Sequence, residues 1–340
     1  MKLLQLISPN GNGTRKESRQ FKQVKGIIRF LSKSGGSLTM PEIAEHVNIS
    51  VPTGTKLVKD LVEQGLVVEE GKKATENGRK PSLYSLNKNG FYAVGVEVLS
   101  KWIHVSVVRL DLETVHEAFN RQFVLKDTQK CLNYITAFIK KAIRESPAKP
   151  DQIIGVGMAL RGRVNGHSGE SADYFNNLDP TLKQHLENKL GSPVSIDNDT
   201  RVIGIAEQVL GRAKGVENVL IVKVSRNLGL SIILDKKMIF GAKGFAGNFG
   251  HTQFGTKGRM CTCGKKNCLR TEVSGGALYQ DLKEALEAGE TSLYFNMEEM
   301  DTYRYHDVLD AVLEGDALSI KLLTIKVIGW VRLWAIWLIC

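Results

Sequence analysis

Between positions 21 and 65 apolar residues recur at helical spacing in three separate stretches. In "FKQVKGIIRFLSKSGG", Phe21, Val24, Ile27, Ile28 and Leu31 share one face, and Gly35-Gly36 stops the pattern. A second helix is predicted after Thr39 as N-cap, with Pro41 in its first turn and Ile43, Ala44 and Val47 inward. The third, "VPTGTKLVKDLVEQGLV", starts near Val51, turns Leu57, Val58, Leu61 and Val62 inward and ends at Gly65. A short turn, Asn48 to Ser50, separates the last two helices. Two β-prone runs, residues 66–69 and 82–86, follow on either side of a polar, partly basic loop. Helix, turn, helix and hairpin in this order predict a winged helix-turn-helix.

From Phe91 onward the pattern changes to strands alternating with helices. "FYAVGVEVL" and "IHVSVVRLDL" predict adjacent strands, "QKCLNYITAFIKKAIRES" an amphipathic helix and "IIGVGMAL" a buried strand. "TLKQHLENKLG" reads as helix, "PVSIDND" as strand, "TRVIGIAEQVLG" as helix, and "VLIVKVS" with "GLSIILDKKMIFG" as a strand pair. This alternation predicts layered α/β halves. The final stretch, "SIKLLTIKVIGWVRLWAIWLIC", is apolar and Trp-rich, but Lys326 and Arg332 interrupt it well short of the about 20 apolar residues needed to span a bilayer. Exposed, such an end is expected to act as an association surface.

Composition changes this picture little; charge changes it more. The 340 residues, 42% hydrophobic and 24% charged, suit two or three soluble domains. No apolar run near the start resembles a signal peptide, so a cytoplasmic location is expected. Residues 1–90 carry 15 Lys and Arg against 8 Asp and Glu, a net +7 of the chain's +10. That excess coincides with the helix-turn-helix, whose outward positions Thr53, Thr55, Lys56 and Lys59 are small or basic. With Arg79 and Lys80 of the "GRKP" wing they are the expected contacts to double-stranded DNA, set against a three-helix interaction domain without a nucleic-acid partner.

Three of the five cysteines fall within eight residues: Cys261, Cys263 and Cys268, with His251 ten residues upstream. Three thiolates and an imidazole form the closed set that structural zinc prefers, so Zn2+ is expected there, against the alternatives of ordinary buried cysteines or a redox pair. Cys131 lies on a predicted helix and is expected in the core.

The stretches "IDNDTRVIGIAEQVLGRAKG", "GFAGNFGHTQFG" and "CTCGKKNCL" together resemble the ROK family of bacterial sugar kinases and sugar-responsive repressors. The resemblance runs from about residue 91 to about residue 320, and the winged helix ahead of it matches the repressor branch. Residues 1–20, rich in Gly, Asn, Ser and charge, are expected to form a mobile arm with a short helix at its start, and the winged helix to cover 21–88; the resemblance implies a two-lobed, ribonuclease-H-like or actin-like sensor body over 89–340.

In that family, kinases cradle ATP phosphates with glycine turns. Here the first turn reads "EVLSK", with Glu97, Leu99 and Ser100 at key positions; the second reads "SRNLGLS", where only Gly229 survives. The resemblance therefore implies a body without catalytic residues, with an ATP-dependent sugar kinase bearing a DNA-binding appendage as the alternative. A constitutive DNA binder with a purely structural body is a third reading.

On the sugar side the resemblance assigns Asn198 and Asp199 to the effector, with capping of the helix that starts at Thr200 as the alternative role of Asp199. His251 is implied to serve both metal and sugar. Asn248 and Arg270 replace two expected carboxylates, which points to an anionic sugar derivative unless Arg270 simply pairs with a nearby acid. The family's later elements are not visible after residue 320, so an incomplete C-terminus is expected. The partners implied are operator DNA, a sugar or anionic sugar derivative, and a second copy in a homodimer or higher oligomer, with no membrane.

Overall fold

The computed structural model describes residues 15–73 and 80–339, and the side chains of 19–73 and 80–333. The chain divides into two compact units, residues 1–197 and 198–340.

The first unit opens with α1 (Arg15–Ser34), β1 (Leu38–Thr39), α2 (Met40–Val47), α3 (Val51–Glu63), β2 (Val67–Lys72) and β3 (Ser82–Leu86). Helix α1 begins six residues before the predicted Phe21, so the C-terminal part of the expected 1–20 arm is helical. Its "RKESRQ" start carries no apolar periodicity but is made largely of good helix formers, which extend a helix once its later turns are packed. Residues 1–14 lie outside the described residues.

Val24, Ile27, Leu31, Ile43, Leu57, Val58 and Leu61 form one core with Leu66, Val67 and Leu86. Gly35 and Gly65 take positive φ, 63° and 75°, just beyond the helices they terminate. Asn48, at φ 55°, supplies the left-handed turn between α2 and α3. The three strands order as β1-β3-β2, all antiparallel, which is the wing predicted from the sequence plus the short β1 it did not show.

The rest of this unit is a five-stranded sheet with helices. Its elements are β4 (Tyr92–Leu99), β5 (Trp102–Arg109), β6 (Thr114–Asn120), α4 (Gln129–Glu145), β7 (Ile153–Leu160), the short pair β8 (Val164–Asn165) and β9 (Glu170–Ser171), α5 (Leu182–Leu190) and β10 (Val194–Asn198). The order is β10-β7-β4-β5-β6. β4 runs antiparallel to β5 and parallel to β7. β4 alternates strictly between buried and half-buried positions, and its buried Val94, Val96 and Val98 meet Leu132, Ile135 and Ile139 of α4. Cys131 is buried in this core as expected, and burial pushes its thiol above the ordinary range.

The second unit begins with α6 (Asp199–Val209), which leads into β11 (Val219–Val224), β12 (Leu228–Leu234) and β13 (Lys237–Met238), a three-stranded antiparallel sheet in chain order. The predicted strand "GLSIILDKKMIFG" is two strands. Asp235 and Lys236 take φ 50° and 63°, the pair of positive values that a two-residue hairpin of type I′ demands.

Four helices follow: α7 (Arg270–Val273), α8 (Gly275–Glu287), α9 (Tyr305–Leu313) and α10 (Ala317–Ile339). The apolar, Trp-containing final stretch forms the long helix α10. It packs on α7, α8 and α9, with Leu318 and Leu322 in a core with Leu278, Leu282 and Val308. No described helix is long and apolar enough to cross a membrane. Trp330 is half-buried and donates its Nε1–H to Val273 O at 3.1 Å; the side chains of Trp334 and Trp337 lie outside the described residues.

Candidate functional site

Helix α3 turns its small and basic residues outward. Its apolar spacing sends Leu57, Val58 and Leu61 into the core, and the same 3.6-residue geometry turns Thr53, Thr55, Lys56 and Lys59 to solvent. Thr55 bonds back to Val51 O at 2.9 Å, and Thr53 meets Ser50 at 2.8 Å, so both hydroxyls are oriented at the N-terminal end of the helix. Lys59 lies 4.0 Å from Glu63 with both side chains largely exposed, a contact too weak to hold the lysine away from a polyanion. Lys80 is exposed beside β3; Arg79 lies outside the described residues.

The metal-ligand candidates come together in the second unit. His251 ends a short 3-10 turn, Phe249–His251, while the cysteines sit on a small hairpin tied by bridges between Gln253 and Cys268 and between Met260 and Lys266. Leu269 N–H donates to Thr252 O at 2.8 Å, which brings the last cysteine back to the histidine turn. One ligand atom from each of His251, Cys261, Cys263 and Cys268 lies within 4.8 Å of every other.

Cys261 Sγ is 3.5 Å from His251 Nδ1, and Cys263 Sγ is 3.6 Å from Cys268 Sγ. A tetrahedral ion with bonds of about 2.3 Å to sulfur and about 2.0 Å to nitrogen separates its donors by roughly 3.5–3.8 Å, so the residues fit such an ion. Burial and the neighbouring Cys263 and Cys261 push the Cys268 thiol up to about 12. A bound divalent cation is what would turn this mutual destabilisation of thiolates into attraction.

The remaining effector candidates fall around the start of α6 and around the histidine turn. Asn198 is the N-cap of α6: its Oδ1 accepts from Thr200 N at 3.0 Å and Arg201 N at 3.3 Å. The cap considered for Asp199 therefore belongs to its neighbour. Asp199 accepts from Asn198 Nδ2 on Oδ1 and from Lys223 Nζ on Oδ2, both at 2.9 Å.

Asn248 is exposed and donates to Phe245 O at 2.9 Å. Arg270 bonds Thr262 Oγ1 at 3.0 Å and Asn227 Oδ1, tying the cysteine hairpin to the turn between β11 and β12. Lys223 escaped sequence reasoning, and the signal that could have found it is a single charge inside the apolar run "VLIVKV".

A profile described as the ROK family matches residues 93–328, more than two thirds of the chain. The chain belongs to the ROK family. A profile of the MarR family matches residues 23–76, the stretch that forms the helix-turn-helix and the start of the wing. The xylose repressor of Caldicellulosiruptor bescii is 28% identical over 280 residues, covering 82% of this chain and 70% of that protein. The transcriptional dual regulator NagC of Escherichia coli is 25% identical over 288 residues, 84% and 69% of the two chains. The crystal structure of a ROK transcriptional regulator, a homologue of Escherichia coli MLC, superposes with a TM-score of 0.70 at 22% identity, covering 88% of this chain and 76% of that one, a likeness of fold.

Within this ROK body both glycine turns have become something else. Ser100 and Lys101 form the tight link between β4 and β5, with Leu99 paired to Trp102 across it. The second turn is hydrogen-bonded to the start of α8. Ser225 O and Arg226 O accept from the backbone N–H groups of Gly275 and Gly276, at 2.8 and 3.2 Å. Those two donors open helix α8, so the amides that would face an anion at this helix start are already committed to the turn. A Cβ on Gly276 would stand 2.6 Å from Arg226 O, so the close approach requires glycine there.

Proposed function

We propose that this ROK protein is a sugar-responsive transcriptional regulator, acting as a repressor of sugar-utilisation genes in the cytoplasm. The winged helix grips operator DNA through Thr53, Thr55, Lys56 and Lys59 of α3 and through Arg79 and Lys80 of the wing. The body senses a sugar or sugar derivative through Asn198 and Asp199, with Asn248, His251 and Arg270 as further candidates near the hairpin. A homodimer would match paired half-sites by its two-fold symmetry.

The metal is zinc, held by His251, Cys261, Cys263 and Cys268; with four protein ligands it supplies structure and no reactive position. The observation that carries the non-enzymatic reading is the Ser225–Asn227 turn, whose carbonyls occupy the N–H groups at the start of α8. Without that anion site a nucleoside triphosphate loses both positioning and charge neutralisation. The relatives' names make D-xylose and N-acetyl-D-glucosamine the first probes.

The kinase reading draws on one observation, the retained Asp199 at the start of α6. Purified protein incubated with ATP and a sugar panel decides between them: no steady ADP release is expected, and sustained sugar-dependent turnover would overturn the regulator reading. Operator binding that weakens with salt and responds to a sugar is the positive counterpart. Salt-dependent binding that no metabolite alters would instead establish the constitutive binder.

A further inference from the structure

Lys223 stands inside β11, where its five companions are Val219, Leu220, Ile221, Val222 and Val224. A lysine there gives up the packing that a sixth apolar side chain would provide. Its ammonium lies 2.9 Å from Asp199 Oδ2, and the two side chains are 19% and 14% exposed, so the pair is largely buried but not sealed from solvent. A largely buried ion pair loses in desolvation much of what it gains in attraction, so stability alone does not account for the residue. Its neighbourhood is specific: Asn198 holds the other carboxylate oxygen at 2.9 Å, so the two oxygens of Asp199 are oriented by two different donors.

We propose that Lys223 is a ligand-binding residue that sets the specificity of the Asp199 site. The pair takes two adjacent hydroxyls of a neutral sugar, one donating to Asp199 Oδ2 and its neighbour accepting from Lys223 Nζ. A sugar hydroxyl both donates and accepts, and an ammonium has three N–H groups, only one of which the carboxylate needs. Lone carboxylates recognise donors only; the added lysine lets the site read a second oxygen and fixes its position relative to the first.

The formal charges of the pair cancel. A neutral diol therefore leaves no excess charge desolvated, whereas an anionic ligand sets its own charge against Asp199. Arg270, the residue that pointed toward an anion in the sequence, is engaged with Thr262 and Asn227. The inference deepens the sugar-sensing reading and rests on it.

Calorimetric titration of the full chain tests it. The probes are D-xylose, D-glucose, N-acetyl-D-glucosamine, D-glucuronate and D-glucose 6-phosphate, followed by the monodeoxy forms of whichever neutral sugar binds. Lys223→Met should weaken that sugar at least about tenfold, and Lys223→Arg should keep part of the affinity. At one ring position a deoxy analogue should lose about tenfold against the wild type and almost nothing further against Lys223→Met.

A merely structural lysine would not produce that coupling, and circular dichroism with metal content checks that the variant is folded. Binding by Lys223→Met within about twofold of wild type would overturn the proposal. So would identical deoxy losses in both proteins, or tighter binding of glucuronate or glucose 6-phosphate than of any neutral sugar. A wild type that binds none of the five probes removes the sugar reading itself, and this inference with it.

Discussion

Replacing Asp281 by asparagine should destabilise the second unit far more than removing its buried lysine partner, Lys326. Asp281 on α8 is almost fully buried and pairs with three cations: Lys326 of α10, Arg259 just ahead of the cysteine hairpin, and Lys257 at 3.4 Å. Burial opposes its ionisation, but Lys326 and Arg259 more than offset this and hold the carboxyl below the ordinary aspartate range. Burial likewise draws Lys326 below the usual lysine value despite the attraction of Asp281.

Asp281→Asn therefore leaves Lys326 buried without its counter-charge and Arg259 with Glu284 alone, a situation that costs about 3–5 kcal/mol. Lys326→Met keeps the aliphatic stem and leaves Asp281 with Arg259 and Lys257. What is lost is one charged contact and the hydrogen bond to Glu272 O at 2.7 Å, together about 1–2 kcal/mol. Urea unfolding of both variants, with unchanged m, should show a gap of about 2 kcal/mol or more, and the double variant should cost clearly less than the sum. If Lys326→Met costs as much as Asp281→Asn, or the two effects simply add, the carboxylate is not the hub of this cluster.

Lys56→Ala and Lys59→Ala should each weaken binding to operator and random DNA alike and lower the slope of log K against log salt by about 0.9, read by anisotropy over a salt series; an unchanged slope removes them from the interface. Cys263 is the exposed member of the metal set, so Cys263→Ser removes a ligand without disturbing the core. Metal content should fall from one ion per chain toward none, and at metal concentrations near 1,000 Kd the lost linkage of about 4 kcal/mol should lower the melting midpoint by roughly 10 °C. Wild type that holds no metal and ignores chelators would contradict the zinc assignment.

Glu42 caps α2: its carboxylate accepts from Thr39 N–H and Thr39 Oγ1, and pairs with Lys73, and these lower it from 4.5 to about 2. Its contribution is present above about pH 4.5 and is lost as pH falls through about 2. Glu42→Gln should flatten the acid limb of thermal stability in that window, by a modest amount because the side chain is 42% exposed; an acid limb identical to wild type would refute the cap.

Periodicity and spacing carried the helix-turn-helix, the wing, the strands from Tyr92 to Arg109 and the four residues that the fold gathers into the His/Cys cluster. Each of these is written within one or two turns of helix, one strand or one hairpin. Helix α1 started earlier than its apolar face suggested because its first turn is favoured by propensity, which leaves no periodic trace. The strand β6, half-exposed on the sheet edge, likewise carries too weak an alternation to stand out.

Tertiary structure alone decided which groups meet across long stretches of chain. Lys223 reaches Asp199 from 24 residues away, Lys326 reaches Asp281 across α9, and the Ser225–Asn227 turn closes on the start of α8. Sequence marked the glycines lost from that turn, but whether the altered turn stayed open or folded onto a helix N-terminus depended on where α8 came to rest. The physical reason is that local patterns record the competition between backbone conformations, while the partner of a buried charge or carbonyl is selected by packing of whole elements, which no local spacing encodes.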